Sequence, residues 1–72
     1  RQPLVRQPLD EPLSDRELDV LRLLQGDLDG PEMASALFVS LNTLRTHTKN
    51  IYMKLGVSNR REAVSRAADL GL

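Results

Sequence analysis

Residues 40–61, SLNTLRTHTKNIYMKLGVSNRR, carry five Lys and Arg, one His and no acid, in a chain of 72 residues whose formal net charge is zero. Ser40 is a helix-capping residue, the apolar residues behind it recur at helical spacing, and Gly56 supplies a stop. The block therefore reads as one helix with an apolar side and a cationic side. Projected at about 100° per residue, Leu41, Leu44, Thr48, Ile51 and Leu55 cluster on one side, with Asn42, Arg45, Thr46, Lys49 and Met53 opposite. Arg45 and Lys49 lie one turn apart with no carboxylate on the same helix, so their heads project together into solvent.

Working outward, charge is distributed unevenly. Residues 1–32 hold four Arg against eight acids, residues 33–61 hold five bases and no acid, and the last eleven residues have a balance of −1. A neutral total thus hides a polarised molecule. The chain has room for one domain with a small core and none for a large enclosed substrate cavity. With no Cys, neither disulfides nor a thiolate zinc site supplements that core. No apolar run approaches the length of a bilayer span and no signal-peptide pattern is present, which predicts a soluble, cytoplasmic domain. A start at Arg1 suggests a fragment of something longer.

Residues 1–12, RQPLVRQPLDEP, contain three of the four prolines and a repeated Arg-Gln-Pro-Leu. Proline and the residue before it both resist helix, so this segment is expected to be an extended tether to an upstream domain, or a vector-derived leftover. Residues 13–72 form the domain. Ser14 with Glu17, Asp29 with Glu32, and Asn59 with Glu62 have capping spacing, and Ser40 makes a fourth start. Leu13 and Leu18, Leu28 and Met33, and Val39 and Leu44 stand at hydrophobic-staple positions. Pro31 falls in a first turn, where its missing N–H costs nothing. Gly26, Gly56 and Gly71 are stop signals for the first, third and fourth helices, and the second ends near Leu37. No stretch alternates with period two for long enough to make a strand, so the fold is predicted all-α, with four helices.

A short helix followed by a cationic one suggests helix-turn-helix binding of double-stranded DNA. Arg45 can grip guanine O6 and N7, Lys49 reaches the same acceptors, and the Thr46 methyl can touch a thymine methyl. Thr43, His47, Asn50 and Lys54 flank that face and are positioned for phosphate oxygens, which fix docking without reading sequence. A cationic helix face is commonly no more than a solvated one; the length of the acid-free run is what favours DNA. His47, the sole His and without a Cys partner, reads as a phosphate-contacting imidazole rather than a general base or metal ligand. Tyr52 and Met53 read as edge-of-core packing. With two aromatics in all, there is no stacking platform for single strands or RNA. No nucleophile with a base, metal-ligand cluster or phosphate loop is present, so an enzyme, a cofactor and a metal are not expected.

Residues 13–72 resemble the LuxR-type helix-turn-helix domain of bacterial transcription regulators. The resemblance covers 60 of the 72 residues and rests on Leu13-Ser14-x-Arg16-Glu17, Met33-Ala34, Ser40-x-x-Thr43, His47, Lys54-Leu55-Gly56-Val57, and Asn59-Arg60 with Ala63. The stretch Leu37-Phe38-Val39-Ser40-Leu41-Asn42-Thr43, with Asn50-Ile51-Tyr52, is most similar to the C-terminal domains of large MalT-like regulators. The resemblance implies that the second and third helices form the helix-turn-helix, and that the fourth supports a homodimer on DNA. It also implies base contacts at Arg45, Thr46 and Lys49, phosphate contacts at Thr43, His47, Asn50 and Lys54, and a structural Glu17. Independently of the resemblance, we expect Arg60 to be the partner of Glu17. Two departures stand out. Asp29-Gly30-Pro31-Glu32 replaces the family's usual Ser-Asn-Lys-Glu and removes a cation near the DNA backbone, and Leu44 stands where Val is usual.

Two other readings fit the same pattern. A sigma-factor fourth region is also a tetrahelical major-groove reader, distinguished by binding to core RNA polymerase. A helix-turn-helix-like protein-interaction module with weak or lost DNA binding is favoured by the Gly30-Pro31 change and the acidic first helix, and is distinguished by the salt dependence of duplex binding.

Overall fold

The computed structural model describes residues 12–72, so the expected tether lies outside the described residues except for Pro12. Four helices follow in order: α1 (Asp15–Leu24), α2 (Gly30–Leu37), α3 (Leu41–Leu55) and α4 (Arg60–Leu70). Among the described residues there is no strand.

Each start is built locally. Ser14 and Asp29 form reciprocal capping boxes with Glu17 and Glu32, in which each side chain accepts the other residue's backbone N–H. Ser40 and Asn59 accept N–H groups from Thr43 and Glu62. The Glu62 carboxylate reaches one residue further than in a box, accepting the Ser58 N–H at 2.8 Å. These contacts satisfy backbone donors that a helix start otherwise leaves unpaired.

The ends differ from one another. α3 and α4 stop at Gly56 and Gly71 in the left-handed region, with φ of 71° and 74°. In each, the next N–H bonds back five residues, Val57 to Tyr52 and Leu72 to Ala67. α2 ends the same way but on Phe38, with φ 58°, the one non-glycine residue with positive φ among those described. The expected glycine stop of α1 is different: Gln25 caps it in right-handed geometry, and Gly26 donates to Leu23 O at 3.0 Å. A left-handed turn is unnecessary there because a distant cation takes the last carbonyls. Arg60 Nε donates to Leu24 O at 2.9 Å, and its Nη2 donates to Gly26 O at 3.1 Å.

The core draws on all four helices. Val20, Leu21 and Leu24 of α1 meet Met33 and Ala34 of α2, Leu44, Ile51 and Leu55 of α3, and Ala63 and Ala67 of α4. α3 packs against each of the other three helices, and α4 also packs on α1. Ala63 and Ala67 have no exposed surface, which identifies them as the small residues that let α4 approach closely rather than as an outward contact face.

Glu17 sits on the buried side of α1 with only 5% of its surface exposed. Its partner is Lys54 and not Arg60: Lys54 Nζ lies 2.7 Å from Glu17 Oε1. The reason is reach. Lys54 leaves α3 where it faces α1, whereas Arg60, at the start of α4, meets the open C-terminus of α1 and binds carbonyls there.

Candidate nucleic-acid interface

The turn between α2 and α3 is three residues long, Phe38 to Ser40, and sends α3 off with a defined start. Ser40 Oγ accepts the Thr43 N–H at 3.1 Å and donates to Thr43 Oγ1 at 2.9 Å. Burial of Leu44, Ile51 and Leu55 then fixes the helix rotation. Thr48, expected on the same stripe, is half-buried at its edge and donates its hydroxyl to Leu44 O at 2.9 Å. Leu41 is half-buried as well.

With that rotation, Arg45, Thr46 and Lys49 are all exposed, as is Asn42. The ion pairs among the described residues involve Arg16, Arg22 and Lys54 with Asp19 and Glu17, and neither Arg45 nor Lys49 takes part in one. Their charge is therefore available to an external anion. Thr46 donates its hydroxyl to Asn42 O at 3.1 Å, which uses its one donor and leaves the methyl and the oxygen's acceptor capacity for a base.

The four flanking residues divide. Thr43 is exposed at the N-terminal end of α3, and His47 and Asn50 are half-buried along its side. Lys54 is drawn away from solvent. Its ammonium group donates to Glu17 Oε1 and to Pro12 O, at 2.7 and 3.4 Å. In this arrangement it ties α3 to α1 rather than projecting with the cationic face. Burial pushes the Glu17 carboxyl up, but the Lys54 hydrogen bond, the Ser14 N–H and the Lys54 charge outweigh it and hold the group below its ordinary value.

Beside the cationic ridge runs a groove of about 470 Å³ that Arg45, Lys49, Tyr52, Met53, Val57 and Arg60 help to line. Tyr52 is half-buried at its wall; burial pushes its phenol up and the Arg60 charge partly offsets that, so it remains a neutral hydroxyl. Met53 differs from the expected edge-of-core residue, with 70% of its surface exposed. Its position at eight residues from Arg45 already assigns it to the outward side, but a preference for burying methionine obscures the signal. The Glu17–Lys54 tie also has a sequence signal: a carboxylate in register with Leu21 and Leu24 on an apolar stripe requires a buried cation.

Among the described residues, no group of three His, Cys, Asp or Glu side chains is arranged to hold a metal, and no helix is long and apolar enough to cross a membrane.

Comparison with known proteins bears on the family and the fold. Residues 11–67 match the GerE family, described as bacterial regulatory proteins of the luxR family. The HTH-type transcriptional regulator MalT of Serratia proteamaculans is 42% identical over 59 residues, covering 82% of this chain and 6% of that protein. MalT of Yersinia pestis gives the same identity and coverage. The response regulator ChrA of a heme-sensing two-component system superposes with a TM-score of 0.80 at 40% identity, over 90% of this chain and 32% of ChrA. The chain thus spans a small part of the length of each of these relatives. Four helices, a helix-turn-helix at α2 and α3, and the match over most of the chain identify it as a member of the LuxR family of bacterial regulatory proteins.

Proposed function

We propose that the domain binds double-stranded DNA sequence-specifically, with α3 in the major groove, as the DNA-binding part of a bacterial transcription regulator. Family membership supports the general role, since a LuxR-type helix-turn-helix is the DNA-binding domain of a transcription regulator. The finer reading rests on one observation: Arg45, Thr46 and Lys49 are exposed together on α3, with both cations free of carboxylates among the described residues. Arg45 and Lys49 read base edges, Thr46 offers its methyl to thymine, and Thr43, His47 and Asn50 meet phosphates. Lys54 joins them only by releasing Glu17, so we assign it a supporting role.

Two copies bind neighbouring half-sites about one helical turn apart. Since Ala63 and Ala67 are spent on the core, the α4 surface available to a second copy is made of Glu62, Ser65, Ala68 and Asp69, all exposed. An upstream regulatory region and action on the nucleoid in the cytoplasm complete the proposal, and the much greater length of the MalT relatives supports the former.

Selection from a random duplex library tests this reading, followed by titration of the selected site at several salt concentrations. The expected result is a defined motif and a steep fall in affinity with salt from counterion release. Absence of any preferred motif overturns it and favours the protein-interaction module.

A further inference from the structure

Two large apolar side chains are exposed among the described residues, Phe38 at 94% and Met53 at 70%. Phe38 occupies the tight turn, where the backbone itself turns the residue outward. Met53 has no such cause, for it sits in regular helix where a Lys or Gln fits the backbone equally well. What sets it apart is its neighbours. Arg45, Lys49 and Met53 follow one another at intervals of four residues, which puts Met53 about 80° around the helix from Arg45 and between Lys49 and Thr46 in projection. All three line the same groove.

We propose that Met53 is a further specificity-determining residue, whose thioether side chain packs against the C5-methyl of a thymine in the major groove. This rests on the DNA-binding reading above. Thymine is the one base with an apolar group at that edge, and a flexible, polarisable side chain adapts to it. Spacing gives a position as well. The four residues from Lys49 to Met53 advance about 6 Å along α3, against about 3.4 Å per base along a strand, so the methyl that Met53 meets lies one to two base pairs beyond the pair that Lys49 reads.

The test uses the duplex obtained by selection with this chain. Each thymine in turn is replaced by deoxyuracil, which removes only the methyl, and affinities are measured for the wild type, Met53→Ala, Met53→Leu and Thr46→Ala. Besides any thymine that Thr46 meets, the wild type is expected to lose about fourfold at one further thymine, the worth of one buried methyl group. Met53→Ala is expected to show no loss there, and Met53→Leu to keep it. Because Met53 is exposed, Met53→Ala folds normally, which its thermal midpoint checks. A wild type whose every methyl sensitivity survives Met53→Ala, or one with no sensitive thymine besides the one that Thr46→Ala abolishes, overturns the proposal. If Lys49→Ala still alters base preference in those cases, the DNA-binding reading stands without it; a chain that selects no duplex overturns both.

Discussion

Lys54 of α3 closes on Glu17 of α1 with Nζ 2.7 Å from Oε1, across 37 positions of sequence, and so locks the third helix to the first helix of the domain. The same carboxylate accepts the Ser14 N–H at 3.0 Å, joining the start of α1 to the far end of α3.

Lys54→Met is expected to lower stability by about 3 kcal/mol, because it leaves the Glu17 carboxylate buried without a cation. Denaturant unfolding at pH 7 measures this. The pH response identifies the cause. In the wild type the folded pKa of Glu17 is lowered, so its contribution is present above the ordinary glutamate range and is lost as pH falls through the lowered value. In Lys54→Met the hydrogen bond and charge of Lys54 are gone, so the folded pKa moves up from its wild-type value and less stability is lost on acidification. The stability gap between the two proteins narrows as pH falls from 7 to 4. A gap that does not change with pH assigns the loss to packing instead.

Arg45→Ala is expected to weaken binding to the selected site by about 1 to 3 kcal/mol and to blunt base preference locally, and Lys49→Ala likewise at its own position. His47→Ala is expected to weaken selected and random duplexes alike. Fluorescence anisotropy on both duplexes separates the two behaviours, and equal loss for Arg45→Ala on both rejects its base-reading role.

Phe38→Gly is expected to stabilise the domain by about 0.5 to 1 kcal/mol. A left-handed conformation costs an L-residue about 1 to 2 kcal/mol, and the greater freedom of glycine in the unfolded chain returns part of the gain. An exposed ring has little packing to lose. Thermal unfolding should show a rise of a few degrees, with duplex affinity unchanged.

Arg60→Ala is expected to cost about 1.5 to 3 kcal/mol by removing a charged donor from the C-terminal carbonyls of α1. Amide hydrogen exchange would locate the effect at the last turn of α1 and the loop after it, leaving the start of α3 protected.

Much of the domain was legible in the chain because its signals are local. Ser14, Asp29, Ser40 and Asn59 cap helices whose first turns they can reach themselves, and Gly56 and Gly71 take up a left-handed backbone conformation at no steric cost. The exposure of Arg45, Thr46 and Lys49 was equally legible, since burial of Leu44, Ile51 and Leu55 leaves one rotation for α3. The Gly26 stop and the Glu17 partner were not, and Met53, outward in projection, was misread from its residue type.

The sequence by itself determined four helices, their starts, and a cationic outer face on the third, because capping and periodicity act over three to seven residues. Only the tertiary structure decided that Lys54 turns inward to Glu17 while Arg60 replaces a glycine cap at the end of α1. Each of those choices depends on which helix end comes within a side chain's length of a charge far away in sequence. That distance is set by how Ala63, Ala67 and Ile51 pack, and no local pattern encodes it.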